Sequence, residues 1–348
     1  MASERLDAII RGHALNPTPT GDDVVRYYVE FEDLVAGTHV ESALRAAVDS
    51  GNRVAVIGPS GAGKSSLCEW VLGQETSGLA TVRVPVAAER DETVSEPLLF
   101  VQHVVRTLSQ YALNASLMSP GQRDQALRAS NERIVRPGIQ TTQRSTFGLS
   151  WLLRAGVARD VTAYVESVDQ DRSAAAMLDV LERLIELIAS HELRLVFLID
   201  DSDSWLNIDG VTDRRGLVGA FFGRVIRMLA ELPAGLVVAV HEDYLGMKGF
   251  KQAEGFIENR IVMPKLEDAE GVAKLLLHRL RSVDDQVELD DVFAPDAVTE
   301  LFGYYGGAGR RSVRRTLQAG QRAVQLAAEL SNDVVTRETV ESAVSDWA

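Results

Sequence analysis

Residues 54–66 read Val-Ala-Val-Ile-Gly-Pro-Ser-Gly-Ala-Gly-Lys-Ser-Ser, and this stretch is the most informative part of the sequence. Its first four residues are apolar and mostly β-branched, which is typical of a buried parallel strand. Gly58–Ser65 then fits the pattern G-x-x-x-x-G-K-[ST], and apolar residues continue at helical spacing from Leu67. A strand, a glycine-rich loop and a helix in this order predict a phosphate-binding loop.

The residue types in this loop suit an anionic ligand. Glycines at 58, 61 and 63 allow backbone N–H groups to turn inward where side chains would block the approach. Lys64 can reach the β- and γ-phosphates of a nucleotide, and the Ser65 hydroxyl can bind Mg²⁺. We therefore expect ATP and Mg²⁺ to bind here. The predicted nucleotide contacts are Gly58, Pro59, Ser60, Gly61, Ala62, Gly63, Lys64, Ser65 and Ser66.

Composition narrows the class of protein. The chain has 348 residues, 46% of them hydrophobic and 25% charged, and a net charge of −14. These values are typical of a globular protein with a sizeable core, and the negative charge argues against nucleic-acid binding over the whole surface. Apolar runs are too short to span a bilayer, and the N-terminus has no signal-type stretch. The single cysteine and the scattered histidines predict neither a disulfide nor a zinc site. We expect a cytoplasmic protein that does not act at a membrane.

Strand and helix patterns alternate over most of the chain. Strands are predicted at 53–57, 81–86, 195–199, 236–240 and 260–263. Helices are predicted at 39–48, 97–112, 121–135, 173–191 and 216–232, and then at 267–282, 295–304, 308–330 and 336–346. This order predicts an α/β fold, a P-loop αβα sandwich with a parallel sheet, followed by an all-helical lid. The predicted domains are a leader at 1–35, a base at 36–264 with an Arg-rich insertion at about 113–172, and a lid at 265–348.

A second motif follows the apolar run Leu195–Ile199, which ends in Asp200 and Asp201. A wholly apolar strand is buried in the sheet and presents its acids at the carboxyl end, where open α/β sheets bind ligands. We expect Asp200 to hold Mg²⁺. Asp201 would orient or deprotonate the attacking water, because phosphoryl transfer depends mostly on positioning and charge neutralisation.

Over roughly residues 36–335 the chain resembles AAA+ ATPases, and within them the origin-recognition and Cdc6-like group. Gly58–Ser65 corresponds to the Walker A motif of the family, and Leu195–Asp201 corresponds to Walker B. A pair of aspartates followed by Asp203 is also similar to the KAP-type P-loop NTPases, so this related family remains an alternative.

The resemblance implies roles for three further residues. The stretch 256–264 is similar to the segment that leads into the lid of these ATPases, which makes Arg260 an arginine finger that acts on a neighbouring subunit, with Lys251 as the alternative. Gly306–Val313 resembles the sensor 2 motif, which implies that Arg310, or Arg311 in the alternative register, contacts the γ-phosphate. His241, at the end of the strand 236–240, takes the place of sensor 1.

The sequence departs from this family at three points. Asp201 stands where the family usually has the longer Glu, which predicts slow turnover. His241 stands where the family usually has Asn, Ser or Thr, so the protonation state of this histidine would matter. The sequence ends after the predicted lid, so we expect no winged-helix domain.

These observations predict an ATPase in which binding and hydrolysis of Mg·ATP move the lid and drive assembly into a homo-oligomer that acts on a partner protein. Two alternatives remain open. The protein could engage DNA as a loader or a transposition-type adaptor, through the basic insertion at 120–160. It could instead be a nucleotide-gated switch or scaffold with negligible hydrolysis.

Overall fold

The structure is a computed structural model. It describes residues 2–17, 22–74, 78–86, 89, 91–131, 168–200, 202, 215–307 and 311–345.

The described residues form a five-stranded sheet. Its strands are β1 (Arg53–Gly58), β2 (Leu79–Pro85), β3 (Arg194–Asp200), β4 (Gly235–His241) and β5 (Asn259–Val262). The strands lie in the order β2-β3-β4-β1-β5. β3 pairs in parallel with both β2 and β4, in a register that sets Pro85 opposite Asp200 and Val238 opposite Ile199. Because β1, β3 and β4 are buried along almost their whole length, they read as continuous apolar runs rather than alternating ones.

Sixteen α-helices accompany these strands in the part of the chain that the structure describes. Before β2 they are α1 (Ala2–Arg11), α2 (Asp22–Tyr27), α3 (Phe31–Leu34), α4 (Val40–Asp49) and α5 (Lys64–Gly73). Between β2 and β5 they are α6 (Asp91–Ser95), α7 (Pro97–Asn114), α8 (Pro120–Asn131), α9 (Val168–Ala189), α10 (Arg215–Ala220), α11 (Arg227–Leu229) and α12 (Lys248–Ala253). After β5 they are α13 (Ala269–Arg281), α14 (Pro295–Gly306), α15 (Val313–Glu329) and α16 (Arg337–Ser345).

The chain divides into two compact units. The first comprises Met1–Ala46, Val56–Gln74 and Arg260–Ala348, and the second comprises Ala47–Ala55 and Glu75–Asn259. In the first unit the last four helices pack on one another, and α1 packs on α15. Leu6 and Ile9 of α1 are buried, as are Leu317 and Val324 of α15. The N-terminal segment is therefore part of the core of the first unit.

The second unit holds β2, β3 and β4 with the helices that cover them. α7 packs on β2 and α9 packs on β3, and both helices contact α8. Between α10 and α11 the backbone forms a π-helical segment at Phe221–Ile226, against which α12 packs. Two glycines meet there, since a Cβ added at Gly249 would lie 2.5 Å from the Cα of Gly219. This close approach explains why glycine is needed at the crossing.

The predicted fold class is confirmed, because all five strands and the helices after β5 are present. Several bounds differ from the prediction. α15 begins at Val313 rather than 308, and α9 begins at Val168 rather than 173. The helix predicted at 216–232 is interrupted by the π-helical segment. The predicted domain boundaries near residues 35 and 264 stay predictions. Within the described residues, no helix is both long enough and apolar enough to cross a membrane.

Candidate functional site

The loop between β1 and α5 has the backbone conformation that its glycines predict. Gly61 has φ +75° and Gly63 has φ +95°, a region that residues with a Cβ rarely adopt. α5 begins at Lys64, directly after Gly63, so its first N–H groups and its positive dipole end lie at the end of the loop. The loop thus combines two glycines at positive φ with a helix N-terminus, an arrangement that suits a phosphate.

Gly61 packs directly on the start of α15. The backbone N–H of Arg314 donates to the carbonyl oxygen of Gly61 over 3.1 Å. A Cβ at position 61 would lie 2.2 Å from Ser312 Oγ and 2.9 Å from Arg314 Cβ. Ser312 is buried and caps α15 by accepting a hydrogen bond from the Arg315 N–H over 3.3 Å. The helix that follows the predicted sensor 2 motif therefore contacts the phosphate-binding loop itself.

The other two glycines allow close approach by apolar side chains. A Cβ at Gly58 would lie 2.9 Å from Met263, and a Cβ at Gly63 would lie 3.2 Å from the ring of Phe31. Phe31 is held in place because its N–H donates to Glu41 Oε1 over 2.7 Å. The same carboxylate accepts the Tyr28 hydroxyl over 2.6 Å, and burial, followed by this bond, raises the pKa of Tyr28 above its usual value. Apolar side chains thus support the loop from two sides.

Lys64 is buried, with 5% of its surface exposed. Its ammonium donates to the carbonyl oxygens of Gly58 and Pro59, each over 2.9 Å, so the charge lies against the loop's own backbone. An ammonium at this place in the loop is a donor that suits the oxygens of a triphosphate, so it fits the predicted ligand.

Asp200 lies at the carboxyl end of β3 and is almost completely buried, at 2% exposure. Its Oδ2 is 3.0 Å from the guanidinium of Arg83, which projects from the neighbouring strand β2. The arginine side chain is 42% exposed, so solvent screens part of this ion pair. A buried carboxylate is a ligand that suits Mg²⁺, and the hydroxyl of Ser65 is another oxygen donor of the same kind.

Ser202, two residues after Asp200, is hydrogen-bonded to β4 and to the turn that follows β4. The Ser202 hydroxyl donates to the Ala239 carbonyl over 2.9 Å, and the Tyr244 hydroxyl donates to the Ser202 carbonyl over 2.6 Å. Both side chains are buried. Asp201, the predicted water-activating acid, lies outside the described residues.

His241 lies at the carboxyl end of β4, with 14% of its side chain exposed. Its Nδ1 accepts the backbone N–H of Asp243 over 3.2 Å, which assigns the ring proton of the neutral histidine to Nε2. The Asp243 carboxylate lies 3.6 Å from the same nitrogen. A neutral histidine in this tautomer can donate a hydrogen bond through Nε2, as a sensor 1 residue would.

The remaining predicted residues lie on separate elements or outside the described residues. Arg260 on β5 and Lys251 on α12 are both exposed. Arg310 lies outside the described residues, whereas Arg311 is exposed and has φ +59°, with its N–H donating to the Tyr305 carbonyl over 2.7 Å.

In the basic insertion only 113–131 and 168–172 are described, and residues 132–160 lie outside the described part of the chain. The described residues contain no group of three or more His, Cys, Asp or Glu that could hold a metal ion.

Sequence reasoning missed the side chains that support the two motifs. Phe31, Met263 and Ser312 pack on the loop, whereas Arg83 and Tyr244 act at the end of β3. Only Ser312 had a readable signal, since a serine before a helical pattern is a typical N-cap. The others are distant in sequence and belong to residue types that are common in any core or on any surface.

Comparison with known proteins gave matches only among solved structures. No protein-family model and no curated protein matches the sequence. The ORC2 protein of Aeropyrum pernix is 16% identical, in an alignment that covers 90% of this chain and 71% of that chain with a TM-score of 0.47. Cdc6p from Pyrobaculum aerophilum is 12% identical, with coverages of 91% and 71% and a TM-score of 0.47. The Walker-type ATPase PABY2304 of Pyrococcus abyssi is 12% identical, with coverages of 88% and 71% and a TM-score of 0.42.

The first two of these structures come from the origin-recognition and Cdc6 group that the sequence motifs resemble. At this identity and TM-score the likeness assigns no activity to the chain, so its function must be inferred from its own residues.

Proposed function

We propose that this protein is an ATPase of the AAA+ type that binds Mg·ATP through the loop Gly58–Ser66. The observation that carries the proposal is the loop itself. It has two glycines at positive φ, a buried lysine against its carbonyl groups and a helix that starts at its end. Backbone N–H groups, an ammonium and a helix dipole all favour a polyphosphate at this position.

Each residue of the proposed site has its own role in phosphoryl transfer. Lys64 neutralises charge on the β- and γ-phosphates, and backbone N–H groups of the loop orient them. Ser65 and Asp200 would hold Mg²⁺, which supplies charge neutralisation when bound. Asp201 would orient the attacking water, and His241 would donate a hydrogen bond through Nε2. Positioning and electrostatics account for most of the catalysis in this class of reaction, so no covalent intermediate is needed.

Residues outside the loop would couple the nucleotide to assembly. Arg310, or Arg311 in the alternative register, would contact the γ-phosphate from the lid. Arg260 would act on the nucleotide of a neighbouring subunit, with Lys251 as the alternative. We propose that ATP binding and hydrolysis move the lid, promote a homo-oligomer and transmit the change to a partner protein in the cytoplasm. The exposure of Arg260 is compatible with a role in a neighbouring subunit.

Phosphate release from ATP tests the proposal. The wild-type protein should hydrolyse ATP in the presence of Mg²⁺, at a slow rate because of the short Asp201 side chain. Asp200→Asn and Asp201→Asn should each lower the rate at least about tenfold, since the first weakens the metal site and the second removes the acid that orients water. Undiminished turnover in both variants would refute the assignment.

One sequence feature favours a second function. The Arg-rich segment 120–160 stands out on an otherwise acidic protein, and basic segments bind the phosphates of nucleic acids. A DNA-engaging ATPase should show DNA-stimulated hydrolysis that is lost in the double variant Arg144→Glu, Arg154→Glu. A switch without hydrolysis should instead retain ATP through purification and change its molar mass on nucleotide binding alone.

A further inference from the structure

The carboxyl end of β3 carries Asp200, and Ser202 follows two residues later. Asp200 lies opposite Pro85 of β2, and the preceding residue, Ile199, lies opposite Val238 of β4. The position of Asp200 therefore also depends on the bonds that support the chain at Ser202.

Two side-chain hydrogen bonds supply this support. The Ser202 hydroxyl reaches Ala239 on β4, and so extends the connection between the two strands past the end of the ladder. The Tyr244 hydroxyl then binds the carbonyl of Ser202 over 2.6 Å. Tyr244 is fully buried, and its ring packs against Phe222 and lies 6.0 Å from the ring of His241. Because the ring of Tyr244 is buried and packed, its hydroxyl can move little and holds the Ser202 carbonyl in place.

Tyr244 also belongs to the same turn as the predicted sensor 1 residue. The short 3₁₀ turn Glu242–Tyr244 follows directly on His241, and the histidine caps this turn by accepting the Asp243 N–H. One rigid turn thus orients His241 and, through Tyr244, the backbone that follows Asp200.

We propose that Tyr244 is a positioning residue for hydrolysis, which fixes the end of β3 that carries Asp200 relative to His241. This inference rests on the proposed ATPase function. Groups that stabilise a transition state must be held to within a fraction of an ångström, so loosening their support lowers the rate more than it lowers substrate affinity. ATP binding through the loop Gly58–Ser66 does not require this bond.

The test compares two tyrosine-to-phenylalanine variants. Tyr244→Phe keeps the ring and removes the hydroxyl. Tyr27→Phe is the matched control, because the Tyr27 side chain is also buried and its hydroxyl also donates to a backbone carbonyl, that of Gly12, over 3.2 Å. Ser202→Ala removes the second bond and provides an independent variant. For each protein we would measure the rate of ATP hydrolysis at saturating ATP, the ATP dissociation constant and the amide hydrogen exchange of residues 195–202.

We expect Tyr244→Phe to lower the hydrolysis rate about tenfold and to leave the dissociation constant within about twofold. Ser202→Ala should act in the same direction, and the double variant should be little worse than either single one, because both bonds hold the same backbone. Of the two tyrosine variants, only Tyr244→Phe should show faster amide hydrogen exchange at the end of β3. Equal hydrolysis rates in Tyr244→Phe and Tyr27→Phe would overturn the proposal, as would a change in affinity without a change in rate.

The hydrolysis rate of the wild-type protein separates this inference from the proposed function. If the wild-type protein hydrolyses no ATP, the proposed function fails and the role of Tyr244 in hydrolysis falls with it. If it hydrolyses ATP while exchange and rate are the same in both tyrosine variants, only the role of Tyr244 is refuted.

Discussion

The phosphate-binding loop and the carboxyl end of β3 carry the two halves of the proposed chemistry, and they are built in different ways. In the loop, the functional groups are backbone N–H groups, one lysine and one serine hydroxyl within nine consecutive residues. At the end of β3, the buried Asp200 is paired with Arg83 from β2, and Ser202 accepts a hydrogen bond from Tyr244 in the turn after β4. The functional groups of the loop are contiguous in sequence, whereas those at the end of β3 come from distant parts of the chain.

This difference predicts different responses to substitution. Because the loop acts mainly through its backbone conformation and one charge, a single substitution that changes either should have a large effect. At the end of β3, each substitution should lower activity only in part, because each hydrogen bond contributes part of the positioning. We expect the largest effects in the loop.

Loss of the buried ammonium should have the largest effect. Lys64→Ala removes the cation that compensates the phosphates, and charged hydrogen bonds of this kind are worth about 3 kcal/mol, or about 100-fold in affinity. Titration calorimetry with Mg·ATP would measure the change. The control is Lys274→Ala, which removes an exposed lysine paired with Glu270 in the same unit. Similar affinities in the two variants would show that the loop does not bind the nucleotide.

Backbone conformation of the loop is tested by Gly61→Ala. The variant must accept both a positive φ and a Cβ 2.9 Å from Arg314 Cβ, so we expect a loss of about 3 kcal/mol in the free energy of unfolding. Gly37→Ala is the control, since Gly37 has φ +77° and nothing within 4 Å of an added Cβ. It should lose only about 1 kcal/mol, from strain alone. Urea denaturation would give both values, and equal losses would contradict the contact between Gly61 and α15.

At the end of β3 we expect a smaller effect. Arg83→Ala removes a cation 3.0 Å from Asp200 Oδ2, which makes the carboxylate more attractive to a second cation. The Mg²⁺ concentration for half-maximal hydrolysis should fall about threefold, a modest change because the arginine is partly exposed. Arg194→Ala, which breaks an exposed pair with Asp49, should leave it unchanged. A rise in the Mg²⁺ requirement of Arg83→Ala would show that the pair supports the metal site rather than competing with it.

We expect the smallest effect from the titration of His103, which makes the free energy of unfolding depend on pH. His103 packs beneath the end of β2, and its Nε2 lies 2.9 Å from the Pro85 carbonyl. Burial lowers its pKa below the usual 6.5, against the opposing effect of Glu89. The unfolded chain therefore takes up the proton first as the pH falls, so the stabilising contribution is present above 6.5 and is lost as the pH falls below it.

Urea denaturation at about pH 8 and about pH 5 would measure this loss, with His103→Gln as the control because glutamine can donate to the same carbonyl and does not titrate. If the two proteins lost the same stability between these pH values, the assignment of the effect to His103 would be wrong.

Sequence predicted the loop well because its determinants are contiguous. The positive φ at Gly61 and Gly63 follows from residue type, and the strand and helix on either side follow from apolar spacing. The support of Asp200 could not be predicted, because Arg83 is 117 positions away and is an ordinary exposed arginine in its own strand. The π-helical segment Phe221–Ile226 was also missed, since its residues fit a normal helical period.

Binding of ATP by the loop Gly58–Ser66 can be measured by calorimetric titration of the wild-type protein with ATP in the presence of Mg²⁺. We expect saturable binding of one nucleotide per chain, with an affinity in the micromolar range and competition by ADP. An absence of saturable binding at millimolar ATP, in a protein shown by circular dichroism to be folded, would contradict it.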